Sequence, residues 1–277
     1  MSSVDAAGNE IIAIRYGTRE TRRSEVFLNH WATGEPDGPI RMDYYFWIIR
    51  TPAGPILVDC GFSAEGGAVR GRSLVVDPVA AAAAFGAGPD AAPDVIVTHE
   101  HYDHIGNLER FARSRIHLAR AELEFWRRPV AHRPLFAMVG DGGELGALDA
   151  ADAEGRVVTF DEETTVAPGV RVIRVGGHTA GQAMVLVETA GGPVLLTSDA
   201  VHYVEELDRD RPFVHIDSVA DMYVAFDRVR AMLDAGEAVR LVPGHDPGVF
   251  DDPAWQPAPE LPEHARRLVL PPAGAVS

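Results

Sequence analysis

The chain has 277 residues, of which 46% are hydrophobic and 24% are charged, and its formal net charge is −16 at pH 7. This composition predicts a globular protein with one domain, residues 1–277, large enough to bury a core without cross-links. The negative charge argues against DNA or RNA as a substrate, because nucleic-acid binding depends on clustered basic residues. All 25 basic residues are arginine, which excludes a Schiff-base lysine and the lysine of a phosphate-binding P-loop.

The cysteine content and the apolar runs indicate in which cellular compartment the protein resides. Cys60 is the only cysteine, so no internal disulfide is possible and nothing indicates an oxidising environment. Residues 1–5 begin no basic segment followed by an apolar stretch, and the longest apolar run, residues 79–85, is too short to span a bilayer. A cytoplasmic protein that does not enter the membrane is therefore expected.

Apolar runs predict most of the secondary structure in chain order. Runs typical of β-strands occupy residues 11–16, 44–50, 56–59, 95–98, 157–160, 170–175, 184–188 and 194–197. Helical periodicity is clearest over residues 217–233, capped by Asp217 or Ser218, and is weaker over 78–85 and 120–127. A last short strand is predicted at residues 241–242. Two groups of strands with helices between them predict an α/β fold of two sheets faced by helices.

Two segments, residues 17–41 and 129–155, are predicted as loops too long for plain connections. Long loops in compact domains often cover a substrate, and ordinary packing on the core is the equally weighted alternative. Trp31 in the first segment and Phe136 in the second mark these two candidate lids.

The segment that carries chemistry follows the strand at residues 95–98 and contains His99, His101, Asp103 and His104. Alternate side chains at a strand end point the same way, so His99 and His101 could bind one metal ion. Asp103 and His104 then turn toward a second ion. Imidazole with carboxylate suits Zn, Fe, Mn or Co, and the lack of thiolates argues against a closed structural zinc site. The alternative, imidazoles that only hydrogen-bond to backbone, is disfavoured by this spacing.

Further ligands have to come from other strand ends, because six residues cannot complete two coordination spheres. His178, Asp199 and His245 each follow an apolar run, and glycines stand beside both histidines. Metal-bound histidines usually donate their other ring nitrogen to a carboxylate or carbonyl. Asp59, at a strand end, is the predicted partner of this kind, and Asp246 is a weaker one.

With these residues the sequence resembles the metallo-β-lactamase superfamily, whose H-x-H-x-D-H motif is present here at residues 99–104. The resemblance extends over about residues 44–250 and implies a four-layer αββα sandwich with two metal ions at one edge of the facing sheets. The implied ligands are His99, His101 and His178 for the first ion, Asp103, His104 and His245 for the second, and Asp199 as a bridge. Two divalent ions are expected, Zn²⁺ first, with Fe, Mn or Co as alternatives.

Within the superfamily the sequence is most similar to the quorum-quenching N-acyl homoserine lactonases and related small-lactone hydrolases. The grounds are Asp199, the ligand spacing and the stretch at residues 197–200. This resemblance implies that the substrate is a small-molecule lactone or similar carboxylic ester, of the N-acyl homoserine lactone type. Common zinc β-lactamases carry cysteine where Asp199 stands, and flavodiiron relatives carry glutamate where His101 stands, so both activities are disfavoured.

One position departs from the lactonase pattern. Typical N-acyl homoserine lactonases carry a tyrosine three residues after the bridging aspartate, where it contacts the lactone carbonyl. Here His202 occupies that position and Tyr203 follows. Either could donate to the oxyanion of the tetrahedral intermediate, with ordinary packing as the alternative. Asp103 or Asp199 could take or relay the proton.

Other readings of the sequence are weaker. A thioesterase of the glyoxalase II type shares these ligands, but that family adds a basic C-terminal region, and residues 256–277 offer only Arg266 and Arg267. Charge disfavours a nuclease of the RNase Z type, and the complete ligand set disfavours a non-catalytic metal-binding protein. A homodimer is compatible with the sequence. Ordinary surface or core histidines are expected at His30, His117, His132, His215 and His264, and a solvated acidic face at residues 205–208.

Overall fold

The computed structural model describes residues 8–272, which form two β-sheets packed face to face. The strands in this range are β1 (Glu10–Arg22), β2 (Pro39–Thr51), β3 (Gly54–Val58), β4 (Ser73–Leu74), β5 (Asp94–Ile96), β6 (Ile116–Ala119), β7 (Val157–Phe160), β8 (Glu163–Ala167), β9 (Val170–Arg174), β10 (Ala183–Thr189), β11 (Gly192–Ser198), β12 (Arg240–Pro243), β13 (Trp255–Pro257) and β14 (Ala265–Leu268). Residues 1–5, considered above for an export signal, lie outside this range, as does the end of the tail at residues 256–277.

The two sheets differ in size and in strand direction. Within the described residues the first sheet has nine strands in the order β13-β14-β1-β2-β3-β5-β6-β7, with β4 beside β1, and the second has five in the order β12-β11-β10-β9-β8. Neighbouring strands from β3 through β5 and β6 to β7 are parallel, as are β11 and β12. The eight strands predicted from apolar runs and the short strand at 241–242 are confirmed.

Helices cover the outer face of each sheet. The α-helices in the described range are α1 (Ala64–Ala68), α2 (Pro78–Ala84), α3 (Tyr102–Ile105), α4 (Arg120–Trp126), α5 (Pro134–Ala137), α6 (Gly142–Ala153), α7 (Val204–Arg209), α8 (Val219–Asp234) and α9 (Gly248–Asp251). Short 3-10 helices span Arg23–Glu25, His30–Thr33, Pro89–Ala91, Leu108–Phe111 and Pro129–His132. None of the helices described is long and apolar enough to cross a membrane.

The core is split into layers because the inner strands bury both of their faces. On β1, Ile11 and Ala13 pack between the two sheets, whereas Ile12 and Ile14 face the opposite way, toward the helices outside the first sheet. Successive side chains of a strand point to opposite faces, so a strand buried on both sides reads as a continuous apolar run. The four-layer αββα sandwich implied by the sequence is confirmed.

Helix α8 covers the second sheet. Met222, Phe226 and Val229 recur at helical spacing and pack against the outer face of that sheet. The helix begins after Ser218, whose side chain accepts a hydrogen bond from the backbone N–H of Asp221. Ser218 is thus the cap, and Asp217 lies one residue before it.

The first long loop is shorter than the predicted residues 17–41. Strand β1 continues to Arg22 and pairs along its length with β2, which already begins at Pro39. The side chains at this end of the hairpin are mostly polar. The sequence therefore lacks the alternation of apolar and polar residues by which a strand is recognised. In the remaining connection Trp31 is 81% exposed.

The prediction of a second long loop at residues 129–155 was wrong, because most of this segment is helical. It contains α5, α6 and the 3-10 helix Pro129–His132. Helix α6 is rich in glycine and alanine, so its apolar face is weak, with Leu148 and Ala151 as its buried apolar residues. Its N-terminus is fixed by Asp141, whose carboxylate accepts backbone N–H bonds from the first turn.

The packing between the sheets predicts the effect of a cavity there. Leu196 on β11 is fully buried between the two sheets. We expect Leu196→Ala to lower the free energy of unfolding by about 2–5 kcal/mol, because it removes apolar contacts and leaves a cavity. Urea denaturation followed by circular dichroism measures this. The control is Val224→Ala on the exposed side of α8, expected to change stability by about 0.5 kcal/mol or less. Equal losses in the two variants would contradict the packing.

Candidate active site

The segments that bear the predicted metal ligands leave the sheets at one edge. Strand β5 leads to His99 and runs parallel to its neighbours β3 and β6. In the second sheet β9, β11 and β12 run in one direction, because β9 and β11 are both antiparallel to β10 and β12 is parallel to β11. Their carboxyl ends therefore meet, and His178, Asp199 and His245 follow them.

The structure brings all seven predicted ligands together. The groups whose ligand atoms lie within 4.8 Å of one another include His99 with His101 and His178, Asp103 with His104 and His245, and His99 with His104 and Asp199. Asp199 lies between the first two groups. Its Oδ2 is 3.4 Å from Nε2 of His178, and its Oδ1 is 3.2 Å from Nε2 of His245. Any of these groups could hold a metal ion.

The hydrogen bonding of the cluster fits a bound cation. His99 Nε2, His104 Nε2 and Asp199 Oδ1 are buried, and none has a hydrogen-bond partner among residues 8–272. Buried polar atoms without partners are costly, so native proteins rarely leave several of them in one place. A divalent ion accepts lone pairs from imidazole nitrogen and carboxylate oxygen together, and it satisfies these atoms at once.

Protonation in the cluster also suits metal binding. Burial lowers the pKa of His99, His101 and His178 well below its usual range, so these rings are neutral and keep a free lone pair. Burial opposes ionisation of Asp199, but the surrounding histidines, His245 first, outweigh it and hold the pKa of this carboxyl well below its ordinary value. The group of His99, His101 and His178 thus offers neutral imidazoles beside an ionised carboxylate. Burial opposes protonation of His104, but Asp199 and Asp59 outweigh it and raise the pKa of this ligand.

Two ligand histidines are oriented through their other ring nitrogen. His104 Nδ1 lies 2.8 Å from Oδ2 of Asp59, as the sequence predicted, and His245 Nδ1 lies 2.8 Å from the backbone oxygen of Asp43. Asp59 also accepts bonds from the backbone N–H and the hydroxyl of Thr98, both at 2.8 Å. The weaker prediction for Asp246 was wrong, since its carboxylate accepts backbone N–H bonds instead.

Backbone strain and a close approach surround Asp199. Ser198 just before it and Asp59 across the site adopt φ values of 46° and 64°, the left-handed region that non-glycine residues rarely occupy. Gly244 precedes His245 and passes so close that a Cβ there would lie 2.7 Å from Asp199 Oδ1. Only glycine permits this approach of the two strand ends, which explains one of the glycines beside the histidines.

Sequence reasoning missed Glu122, which joins two of the ligand loops. This fully buried carboxylate on α4 accepts backbone N–H bonds from Glu100 at 3.0 Å and Gly181 at 2.7 Å. It also accepts from the indole N–H of Trp126 at 2.9 Å. Glu122 therefore holds the loop of His99 and His101 against the loop of His178. Its one sequence signal is a carboxylate among the apolar residues of a short helix.

Neither of the predicted oxyanion donors, His202 and Tyr203, lines the cavity beside this cluster. His202 is fully buried beside Asp199, with Nε2 3.1 Å from Asp199 Oδ2 and Nδ1 3.2 Å from Glu206 Oε1. Burial opposes its protonation, but the two carboxylates outweigh this and raise the pKa of His202 to about 9. The Tyr203 hydroxyl donates to the backbone oxygen of Arg41 at 3.1 Å, away from the site.

The prediction of a solvated acidic face at residues 205–208 was wrong for Glu206. It is fully buried, and its Oε1 accepts the backbone N–H bonds of His202 at 3.0 Å and Tyr203 at 3.1 Å. The ring of His202 stacks on Phe213 with centroids 3.8 Å apart. His202 is thereby fixed behind Asp199, where it can position that carboxylate.

A cavity of about 270 Å³ opens onto the cluster of candidate metal ligands. It is lined by Arg19, Met42, Tyr44, Arg70, Arg72, His101, Tyr102, Asp103, Met138, Val139, His178, Asp199, Phe213 and His215. His215, expected to be an ordinary histidine, stands in this wall, and burial lowers its pKa. The arginines and Tyr44 of the wall were not predicted, because they come from segments remote from the motif. Tyr102 lies within the motif but was not singled out.

A smaller, mainly apolar cavity of about 130 Å³ adjoins the first. It shares His101, Val139, His178 and His215 with the main cavity and is otherwise lined mostly by apolar side chains. Phe136 lines this cavity, so the segment at 129–155 does contribute to its wall. Trp31 lines neither of the two.

The sequence model of the metallo-beta-lactamase superfamily matches residues 42–254 of this chain. The chain belongs to this superfamily. The resemblance drawn from the motif at residues 99–104 is thereby confirmed, and the protein is a hydrolase of this superfamily.

Relatives and solved structures narrow the relationship. An N-acyl homoserine lactonase from a Bacillus species is 28% identical over 205 residues, which are 68% of this chain and 75% of that protein. The crystal structure of a quorum-quenching N-acyl homoserine lactone lactonase superposes with a TM-score of 0.73 at 22% identity, covering 88% of this chain and 95% of that one. AidC, a dizinc quorum-quenching lactonase, gives a TM-score of 0.68 at 16% identity, covering 88% and 92%. The chain is thus related to N-acyl homoserine lactonases at low identity.

The contact between Asp59 and His104 generates a prediction on metal affinity. We expect Asp59→Ala to weaken divalent-metal binding by about 10–100-fold, because His104 loses the partner that orients its ring. Competition with a chromogenic chelator measures the affinity. Asp246→Ala is the matched control, since it removes a nearby carboxylate that contacts no ligand ring. An unchanged affinity in Asp59→Ala would show that the ring is held by packing alone.

Proposed function

We propose that this protein is a dinuclear metal-dependent hydrolase that opens lactones or similar carboxylic esters, with N-acyl homoserine lactones as the leading substrate class. The observation that carries the proposal is the convergence of two ligand groups that share Asp199 at the base of a cavity. The relationship to N-acyl homoserine lactonases supports the substrate class.

The residues present fit two divalent ions. One would be held by His99, His101 and His178, the other by Asp103, His104 and His245, with Asp199 between them. We propose Zn²⁺, since imidazole and carboxylate ligands suit it, and AidC is a dizinc enzyme. When bound, such a pair supplies Lewis acidity and makes hydroxide available at neutral pH.

The reaction adds water across the acyl C–O bond of the ester. The acyl carbon gains a hydroxyl group, the ring oxygen leaves with a proton, and the product is a hydroxy acid. Asp103 lines the cavity, with its Oδ2 3.9 Å from Nε2 of both His104 and His245. It is placed to take the proton of the attacking water and pass it to the leaving oxygen. Asp199, deeper in the cluster, is the second candidate for this relay.

Hydrogen-bond donors for the developing oxyanion come from the cavity wall. The tyrosines in that wall are Tyr44 and Tyr102, and burial raises the pKa of both hydroxyls well above the ordinary range. Both therefore stay protonated at neutral pH and can donate. We assign to them the role that the sequence suggested for His202 or Tyr203.

The adjoining apolar cavity provides room for a substituent on the lactone. Its wall includes Phe125, Trp126 and Phe136, and it meets the main cavity at His101 and His178. An acyl chain placed there would leave the scissile ester beside the metal cluster. A volume of about 130 Å³ favours short chains over long ones.

Metal removal and ligand substitution test the proposal. We expect hydrolysis of N-acyl homoserine lactones, followed by acidification of phenol red, to be abolished by a chelator and restored by Zn²⁺. His101→Ala and Asp199→Ala should each prevent loading of the metal pair and remove nearly all turnover, because each deletes a ligand. His132→Ala, an exposed histidine outside the cluster, is the control and should keep full activity.

The same assay compares substrate classes. N-Acyl homoserine lactones of short and long chain are set against a glutathione thioester and nitrocefin under identical metal loading. Faster turnover of the lactones supports the proposal. Faster turnover of the thioester or the β-lactam, or full activity of Asp199→Ala with two metals bound, would overturn it.

A further inference from the structure

Three arginines stand in the wall of the main cavity: Arg19, Arg70 and Arg72. All three are half-buried, and within residues 8–272 none of them has a carboxylate oxygen within ion-pair distance. Most arginines of the chain do have such a partner, as Arg115 has in Asp94 at 2.8 Å. In a protein with 41 acidic and 25 basic residues, cations without partners gathered at one cavity are unexpected.

Arg70 has a structural task that the other two lack. Its guanidinium donates to the backbone oxygens of Gly66 at 3.0 Å and Gly140 at 2.5 Å, and it lies 4.1 Å from the centroid of the Tyr102 ring. These bonds tie the segment before α6 to α1. Arg70 therefore shapes the wall, and its donors are already used.

Arg19 and Arg72 keep donors for a ligand. Arg72 donates through Nε to the Tyr44 hydroxyl at 2.9 Å and through Nη1 to the Arg70 backbone oxygen at 2.6 Å. These bonds fix the guanidinium, while Nη2 has no partner in the described part of the chain. Arg19, on β1 opposite Met42 of β2, has a buried Nε that lacks any partner within residues 8–272.

Charge balance makes this arrangement costly unless an anion binds. None of the three arginines forms an ion pair with Asp103 or Asp199, the two carboxylates that line the cavity. The arginines therefore do not neutralise these carboxylates, and no carboxylate among residues 8–272 neutralises the arginines. Half-buried charges of one sign repel each other, and a bound anion relieves that repulsion.

We propose that the substrate carries a negatively charged oxygen group, a carboxylate or a phosphate, in addition to its scissile ester, and that Arg19 and Arg72 bind it. The inference rests on the proposed ester hydrolysis. N-Acyl homoserine lactones carry no anionic group, so the inference replaces them, as the preferred substrates, with lactones that also bear an anion. Guanidinium groups form charge-assisted, often paired, hydrogen bonds with such oxyanions. The volume of about 270 Å³ places the anionic group close to the ester, so the substrate is a small lactone acid.

A matched pair of lactones isolates the charge. The carboxylate is 5-oxotetrahydrofuran-2-carboxylate and the neutral analogue is its carboxamide, which has nearly the same shape. We expect kcat/KM of the metal-loaded enzyme to be at least about tenfold higher for the carboxylate, mostly through KM, and to fall with added salt. The lactone that carries a phosphate ester, as a phosphooxymethyl group, in place of the carboxylate is run in parallel and distinguishes phosphate from carboxylate.

Substitutions of Arg19 and Arg72 test whether these residues cause the preference for the carboxylate. Arg19→Gln and Arg72→Gln should each reduce the ratio of carboxylate to carboxamide turnover several-fold, and together bring it close to one. Arg110→Gln removes the same charge from an exposed position outside the cavity and should leave the ratio unchanged. If the carboxamide and both anionic lactones are turned over equally, or the ratio survives in the double variant, the proposal is wrong.

Binding without turnover separates this inference from the proposed function. The lactam 5-oxopyrrolidine-2-carboxylate and its carboxamide replace the ester by an amide and are titrated into the metal-loaded protein by calorimetry. Tighter binding of the carboxylate that is lost in Arg19→Gln and Arg72→Gln supports the anion site even if no lactone is hydrolysed. Lactone turnover without any charge preference, combined with equal binding of the two lactams, supports the proposed function and overturns the anion site.

Discussion

The structure depends on one constraint, the burial of several imidazoles and two carboxylates at the edge where two sheets meet. His99 Nε2, His104 Nε2 and Asp199 Oδ1 are shielded from water, and no hydrogen bond within the described chain satisfies them. Buried polar atoms of this kind destabilise a fold unless a ligand engages them. The proposed pair of cations would do so, and its binding to the folded state would add to the stability of that state. In that case metal binding and the packing of the sheets are thermodynamically linked.

The supporting structure restricts each ligand to one orientation. Asp59 orients His104, Glu122 joins the two loops that carry the first ligand group, and Glu206 fixes His202 behind Asp199. Left-handed backbone conformations at Asp59 and Ser198 persist because the surrounding hydrogen bonds and packing hold them there. The ligands are therefore positioned by buried carboxylates, and the low local dielectric strengthens each of these contacts.

The cavity combines three kinds of surface around one cluster. Carboxylate and imidazole form its base, arginine and tyrosine form one wall, and apolar side chains line the adjoining cavity. This division suits a ligand whose reacting ester, charged group and apolar substituent point in different directions. The strongly negative charge of the whole chain does not describe this cavity, because most surface arginines are paired with carboxylates and those of the wall are not.

The sequence by itself predicted the strands and the candidate ligands that the structure brings together, and the resemblance to the metallo-β-lactamase superfamily implied the sandwich fold. Apolar strands followed by histidine or aspartate are local patterns, and parallel strands bring their carboxyl ends to one edge. Tertiary structure alone decided which polar residues enter the site. His202 is buried between Asp199 and Glu206, while Arg19 and Arg72, far apart in the chain, line the same cavity. Local patterns hold no information on such contacts, because burial and hydrogen bonding between distant segments set the direction of each side chain.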